Sequence, residues 1–148
     1  MKIVIGSEHA GADYMARLAD VLRKNGDDVQ LIGEEEGRTG YPAVAEAACK
    51  VVLSGTVDLG ILICGTGIGM TMAAGKVPGI RAALCTDSYM ARMAKKHNDA
   101  NVIVFGSRVI GFEKMLCVLE AFRSETYEGG RHDARLAALA ALERSYLK

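Results

Sequence analysis

A cysteine followed by three closely spaced glycines is the feature of this sequence that most clearly suits chemistry. Residues 61–69 are Ile-Leu-Ile-Cys-Gly-Thr-Gly-Ile-Gly. The apolar run predicts a buried strand, and the glycines predict a tight turn at its end. Glycines at alternate positions let successive backbone N–H groups point at one place, which suits a phosphate, a carboxylate or a developing oxyanion. The Cys64 thiol lies at the edge of this turn, where neighbouring N–H groups would stabilise a thiolate base.

The glycine pattern alone leaves several kinds of loop open. It follows the third predicted strand rather than the first, and no acidic residue ends the next strand, as a dinucleotide site would require. A phosphate-binding P-loop would end in Gly-Lys-Ser or Gly-Lys-Thr, and this sequence does not. A purely structural turn, with Cys64 as a small buried side chain, is the alternative to a binding loop.

Three histidines and a pair of arginines are further candidates for function. His9, His97 and His132 lie in polar or glycine-rich segments, and no two of them have the spacing of metal ligands on one helix face. Arg131 and Arg135 are four residues apart, so on a helix they share one face. The alternative for each of these side chains is a solvated surface position without function.

Together, these groups suit proton transfer next to a carbonyl group. Such a reaction needs a base, hydrogen-bond donors for an oxyanion, a general acid and a clamp for an anionic substituent. An aldose–ketose isomerisation through an enediol would use all four, and it needs neither a metal nor a redox cofactor. The candidates are Cys64 as base, Thr66 to Gly69 as donors, His97 as acid, and a fork of Arg108, Arg131 and Arg135 as clamp.

The composition is that of one globular domain. The 148 residues are 50% hydrophobic and 24% charged, with zero formal net charge and no tryptophan, which gives no electrostatic or stacking case for nucleic acid. No apolar run approaches the length of a membrane span, and the N-terminal segment lacks a signal-peptide pattern. We therefore expect a cytoplasmic protein. Disulfides and a zinc site are not expected, because no C-x-x-C pair occurs among Cys49, Cys64, Cys85 and Cys117.

Apolar runs alternate with helical patterns along the chain. The predicted strands are 2–6, 29–32, 59–64, 80–85 and 101–105, and the predicted helices are 12–25, 42–53, 68–76, a segment around 89–96, 112–123 and 133–146. This alternation predicts βαβ units and a parallel sheet covered on both faces. The sequence therefore predicts a single α/β domain over 1–148, with five parallel strands between two layers of helices.

In such folds, ligands bind beyond the carboxyl ends of the strands. His97 and Asn98 precede the fifth strand and so lie near the amino-terminal ends of the strands, opposite the expected ligand site. Arg131 and Arg135 belong to the last helix. A second subunit would have to supply these groups if they share a site with the glycine loop. The residues expected at the carboxyl end are, in chain order, Ser7, Glu8, His9, Cys64 to Gly69, Thr86, Asp87, Gly106, Ser107 and Arg108.

Seven stretches match one known family in order and spacing, over nearly the whole chain. They are Gly6–Gly11, Tyr41-Pro42, Ile63–Gly69, Gly79–Ala83, His97–Asn101, Phe105–Gly111 and Tyr127–His132. On these motifs the sequence resembles the B-type ribose-5-phosphate isomerases, a family that includes the galactose-6-phosphate isomerase subunits. The resemblance implies a Rossmann-like αβα sandwich that forms a homodimer or homotetramer. It also implies sites at the subunit interface and a C-terminal helix packed on the partner.

The resemblance also implies a role for each candidate residue. Cys64 would move the proton between C1 and C2, since Met70 stands where other members carry a glutamate base. His97 would assist ring opening and Asn98 would bind sugar hydroxyls, both from the partner subunit. The enediolate would be held by Thr66 and the amides of Gly65, Gly67, Ile68 and Gly69. The phosphate and its surroundings would be bound by His9, Tyr41, Arg108, Arg131 and Arg135.

Two departures from the family pattern bear on the substrate. Glu8 stands before His9 where the family has aspartate, and Gly75 stands where it has asparagine. Because glutamate is one methylene longer, we expect Glu8, a ligand for a sugar hydroxyl, to reach further into the pocket and to favour a shorter sugar. The family resemblance still predicts ribose 5-phosphate and ribulose 5-phosphate as the substrate pair, and the longer Glu8 is the reason to consider a shorter sugar as an alternative. The alternatives are a tetrose 4-phosphate such as erythrulose 4-phosphate, a hexose 6-phosphate, or a non-catalytic sugar-phosphate-binding module, which would need neither Cys64 nor His97.

Overall fold

The computed structural model describes residues 1–147 and contains one five-stranded sheet flanked by helices. The strands are β1 (Lys2–Ser7), β2 (Asp28–Ile32), β3 (Leu59–Cys64), β4 (Ala82–Leu84) and β5 (Val102–Gly106). The helices are α1 (Ala12–Lys24), α2 (Gly40–Leu53), α3 (Ile68–Gly75), α4 (Ser88–Lys96), α5 (Phe112–Arg123) and α6 (Arg131–Tyr146), with a 3₁₀ turn at His9–Gly11. These bounds agree with the predicted ones to within about two residues.

All strand pairs are parallel, and the strand order across the sheet is β2-β1-β3-β5-β4. Successive side chains of a strand point to opposite faces. Ile61 and Ile63 of β3 therefore pack against α1, α4 and α5, while Leu62 packs on the other face against α2 and α3. Because both faces are covered there, every residue of the central strands β3 and β5 is buried, whereas the edge strand β2 carries Asp28 and Gln30. The predicted α/β fold with helices on both faces is confirmed.

Strand β4 begins two residues later than predicted because the N–H groups before it bond outside the ladder. The Arg81 N–H donates to the Asn101 side chain at 2.7 Å, and the Ile80 N–H donates to the Val77 carbonyl at 3.1 Å. These two N–H groups are therefore committed before the regular pairing with β5 begins at Ala82.

Helix α6 presents apolar side chains to solvent in the single chain. Leu139, Leu142 and Tyr146 are 51%, 56% and 83% exposed, whereas His132 near its start is buried. Packing of this helix on a partner subunit stays a prediction. No helix among residues 1–147 is both long and apolar enough to cross a membrane.

Candidate active site

Cys64 ends the central strand β3, and the glycine loop (Gly65–Gly69) turns from it into α3. The Gly67 N–H donates to the Cys64 Sγ at 3.2 Å, in a buried setting. Gly67 has a φ of 81°, in the left-handed region that favours glycine, and a Cβ there would lie 2.5 Å from Leu84 Cδ1. The glycine thus allows an N–H to point at the sulfur, and this contact holds the sulfur against the loop.

The end of β5 holds the glycine loop in place. The Ser107 N–H donates to the Cys64 carbonyl at 2.8 Å, and the Arg108 N–H donates to the Gly65 carbonyl at 2.9 Å. Gly106 contacts the loop so closely that a Cβ there would lie 2.5 Å from the Thr66 carbonyl carbon. The position of the Cys64 thiol therefore depends on backbone-to-backbone contact between two strand ends.

Two of the predicted ligands, Tyr41 and Arg108, flank the glycine loop. A Cβ built on Gly65 would lie 3.3 Å from Arg108 Nη1, and one built on Gly69 would lie 3.0 Å from the Tyr41 ring. Both side chains are exposed and lie against the loop, so a cation and a phenol are available where a substrate would bind.

Two predicted oxyanion donors, the N–H groups of Gly67 and Ile68, are already engaged: the first donates to Cys64 Sγ, as described above. The Ile68 N–H donates to Thr66 Oγ1 at 3.2 Å. The Gly67 carbonyl accepts from the Thr71 N–H at 3.0 Å and from Thr71 Oγ1 at 2.7 Å. Thr66 therefore fixes the shape of the loop in this structure, and the Ile68 amide would have to exchange partners to contact an oxyanion.

Glu8 and His9 follow β1 and lie beside Glu34. Glu8 Oε1 accepts from the Ala10 N–H at 2.9 Å, and its Oε2 lies 3.0 Å from His9 Nδ1. The Glu8 carboxylate is thus turned back onto its own loop, which differs from the expectation that it reaches into the pocket. Hydrogen bonds from the N–H groups of Gly40 and His9, each 2.7 Å long, hold the pKa of Glu34 below its ordinary value.

The remaining predicted residues form a second cluster around His97, which follows α4. The His97 ring stacks on His132 with centroids 4.3 Å apart and planes inclined by 16°. Glu128 Oε2 lies 3.7 Å from His132 Nε2 and 4.0 Å from His97 Nε2, while Lys96 Nζ contacts Glu128 Oε1 at 3.2 Å. Burial, followed by the charge of His97, lowers the pKa of His132, and the hydrogen bond from Lys96 lowers that of Glu128.

The predicted site residues therefore form two groups, one at the carboxyl-terminal ends of the strands and one at their amino-terminal ends. Cys64 and its neighbours lie at the carboxyl ends of the strands. Helix α4 runs back from that end, so His97 and the exposed Asn98 lie at the edge where β5 begins. Arg131 and Arg135 lie beside this second group, at the start of α6. Within one chain, the predicted base Cys64 and the predicted acid His97 thus lie at opposite ends of the strands.

Two clusters contain side chains that metals commonly use, namely His97 with Glu128 and His132, and Glu8 with His9 and Glu34. In the first, two ring planes inclined by only 16° meet far from either ring, so one ion cannot lie in both planes. In the second, both carboxylates already accept backbone N–H groups. The stacked rings of the first cluster are therefore poorly placed to share one ion.

Two carboxylates in these clusters, Glu34 and Glu128, were not among the predicted site residues. The signal for Glu34 was only the acidic composition of its loop, and that for Glu128 was its place in the stretch Tyr127–His132. His132 was a candidate only as one of three histidines, and its burial against His97 was not predicted.

Comparison with known proteins agrees with this geometry. Residues 3–139 match the family described as Ribose/Galactose Isomerase. The chain is 42% identical to ribose-5-phosphate isomerase B of Escherichia coli over 144 residues, which cover 97% of each chain. It is 36% identical to a putative sugar phosphate isomerase of Bacillus subtilis, over 99% of this chain and 100% of that one.

Solved structures show the same similarity. Clostridium thermocellum ribose-5-phosphate isomerase B superposes with a TM-score of 0.94 at 43% identity, over 99% of this chain and all of that one. The type B ribose 5-phosphate isomerase of Trypanosoma brucei gives a TM-score of 0.88 at 41% identity, over 95% and 97% of the two chains. On its sequence, its fold and its cysteine–glycine loop, this chain belongs to the ribose/galactose isomerase family.

Proposed function

We propose that this protein interconverts ribose 5-phosphate and ribulose 5-phosphate through an enediolate. The observation that carries this proposal is the Cys64 thiol beneath the Gly67 N–H, in a chain of this isomerase family. The relatives from E. coli and C. thermocellum are ribose-5-phosphate isomerases, which favours the five-carbon sugar over the tetrose and hexose alternatives.

In the proposed mechanism, Cys64 is the base that moves a proton between two carbons. The thiolate removes the proton from C2 of the open-chain aldose, and the electron pair forms the C1–C2 double bond while the carbonyl oxygen becomes an oxyanion. The thiol then returns the proton to C1, and the C2 hydroxyl proton moves to the former carbonyl oxygen, which gives the ketose. N–H groups of the glycine loop, together with Thr66, would stabilise the oxyanion.

The phosphate would be held by arginines at both edges of the sheet. Arg108 lies against the glycine loop of its own chain, and Arg131 and Arg135 would reach the same phosphate from a partner subunit. Tyr41 and His9 would complete this end of the site. A fixed phosphate positions C2 next to Cys64, which supports proton transfer by orientation.

A complete site requires two copies of the chain. In a twofold homodimer, each site would combine Cys64 of one subunit with His97 of the other. The exposed Leu139 and Leu142 of α6 offer apolar surface that such packing would cover. We place this homodimer, or a homotetramer built from two of them, in the cytoplasm.

Ribose 5-phosphate should react with a kcat/KM about 10²-fold higher than erythrulose 4-phosphate, because one carbon less moves the reacting carbons away from Cys64 when the phosphate is clamped. Both substrates are assayed on one enzyme preparation, with a hexose 6-phosphate as the control for a longer chain. A preference for the four-carbon sugar would overturn the substrate but not the reaction class. Binding of all three sugars without turnover would favour the binding module.

Mixing two inactive variants should restore activity if the site is shared. A hybrid dimer of Cys64→Ala and His97→Asn subunits has one site in which both groups are intact. Random pairing makes half of the dimers hybrid, so about a quarter of the wild-type specific activity should return. The matched control mixes Cys64→Ala with Thr66→Ala, which damage the same half of the site and should restore nothing. Activity equal to the sum of the parents in both mixtures would contradict the shared site.

A further inference from the structure

The stacked rings of His97 and His132 lie near the amino-terminal ends of the strands. Protonation of both rings at once would be energetically unfavourable. Their ring centroids are 4.3 Å apart, and two positive charges at that distance repel. Glu128 is the carboxylate between them, with Oε2 within 4.0 Å of both Nε2 atoms. Within residues 1–147, the charged groups that face the pair are Lys96 from α4, Glu128 from the loop before α6, and Arg131 and Arg135 from α6. Three of these four are cations, so Glu128 alone favours protonation.

We propose that Glu128 is a positioning residue that keeps one proton on the His97–His132 pair, so that His97 can act as the acid in opening the sugar ring. The inference rests on the proposed function and on the role in ring opening that the family resemblance implies for His97. It goes beyond that function because it gives roles to Glu128 and His132.

The contacts of Glu128 hold its carboxylate in place for this task. Its backbone N–H donates to the Lys96 carbonyl at 3.0 Å, and its Oε1 is held by Lys96 Nζ. The second oxygen, Oε2, is left facing the two rings. His132 Nε2 is buried, and it has no hydrogen-bond partner within residues 1–147. Because burial lowers the pKa of His132, the proton that Glu128 stabilises belongs on the less buried His97, whose Nε2 lies 4.0 Å from Glu128 Oε2.

The proton balance of ring opening explains why the charge matters. Protonated His97 gives its ring N–H proton to the ring oxygen of the sugar while the C1–O bond breaks. The anomeric hydroxyl loses its proton to solvent as the C1 carbonyl forms, and His97 is left neutral. Glu128 then favours uptake of a new proton from solvent by the pair, which restores the acid for the next turnover.

Histidine titration by NMR tests the inference directly, since the chain has only three histidines. The Glu128→Gln variant keeps the size of the side chain but removes its charge. The titration midpoints of His97 and His132 should both fall by about one unit, because removal of a nearby negative charge disfavours the protonated form. His9 is the internal reference, and Glu125→Gln, in the same loop, should change neither midpoint. Unchanged midpoints in Glu128→Gln would overturn the inference.

A kinetic comparison separates positioning from a merely structural role. Ribose 5-phosphate must open its ring, whereas ribulose 5-phosphate cannot close a five-membered ring because its 5-hydroxyl is phosphorylated. In Glu128→Gln, turnover of ribose 5-phosphate near neutral pH should fall about tenfold, matching a one-unit shift of the acid. Solvent exchange of the C1 proton of ribulose 5-phosphate should stay near the wild-type rate.

The possible results distinguish this inference from the proposed function. Equal losses in turnover and in exchange would overturn the positioning role of Glu128, and Glu128→Asp should recover part of the turnover if charge is what matters. The NMR titration does not depend on turnover. It therefore still decides whether Glu128 holds the shared proton if the wild-type enzyme fails to isomerise ribose 5-phosphate, a result that would instead overturn the proposed function.

Discussion

Replacing Cys64 by alanine should lower kcat for isomerisation by about 10²–10⁴-fold, the range measured for loss of a positioned general base. The fold should persist, because a buried cysteine differs from alanine by a single atom. The neighbouring Met70 is fully buried in the core, and its thioether cannot accept a proton at neutral pH. No residue of the glycine loop offers a substitute base.

Two measurements separate chemistry from binding in this variant. Exchange of the C2 proton of ribose 5-phosphate with D₂O, followed by NMR, should be lost in Cys64→Ala, and stabilisation of the protein against heat by ribose 5-phosphate should be retained. Cys117→Ala is the matched control, since it removes an exposed free thiol on α5 and should keep the wild-type rate. Unimpaired exchange in Cys64→Ala would show that the base lies elsewhere.

The other buried cysteines cannot replace Cys64. Burial raises the pKa of both Cys49 and Cys85 to about 11, with a smaller contribution from Asp87 for Cys85. Their thiols are therefore protonated at neutral pH, and among residues 1–147 neither accepts a hydrogen bond like the one from Gly67 to Cys64. The difference follows from position, because Cys64 alone ends a strand at the glycine loop.

The elements of the fold could be predicted because each depends on local pattern. Apolar runs such as Leu59–Cys64 are typical of strands covered on both faces, and glycine or proline pairs mark their ends. The order β2-β1-β3-β5-β4 could not be predicted in the same way. It depends on which strands meet across the sheet, and hydrophobic periodicity carries no information on that.

The site was predictable where backbone geometry demands a residue type. Gly67 adopts a conformation that favours glycine, so its place after Cys64 marks the loop in the sequence. Contacts between distant segments leave no such mark. Glu34 accepts the N–H of His9 from 25 residues away, and the loop that carries Glu128 is brought to His97 only by tertiary packing.

The predicted reach of Glu8 shows why side-chain length alone misleads. A longer side chain reaches further only if no nearer partner competes for it. The Ala10 N–H, two residues along the chain, provides such a partner, as acidic side chains at turns often find. The Glu8 carboxylate therefore caps the 3₁₀ turn at His9–Gly11.

The second large effect is expected at Gly106, where alanine should lower the free energy of unfolding by about 3 kcal/mol. The added Cβ would lie 2.5 Å from the Thr66 carbonyl carbon, which is backbone and cannot rotate away. Gly106 is also paired with Cys64 in the sheet, so relief requires either separation of β5 from β3 or displacement of Thr66. Either movement disturbs the glycine loop, so kcat/KM should fall as well.

Gly75→Ala is the matched control for this substitution. At Gly75, a Cβ meets no atom of residues 1–147 within 4 Å, and the position ends α3 with an ordinary φ. Alanine there should raise the free energy of unfolding by about 0.5–1 kcal/mol, because it restricts the unfolded chain and favours the helix. Urea unfolding of both variants, with equal m-values, provides the measurement.

The two substitutions should change the free energy of unfolding in opposite directions. The destabilisation at Gly106 comes from the close approach of β5 to the loop that positions Cys64. Losses of similar size at both positions would instead mean that the loss of a glycine, rather than this contact, is what matters.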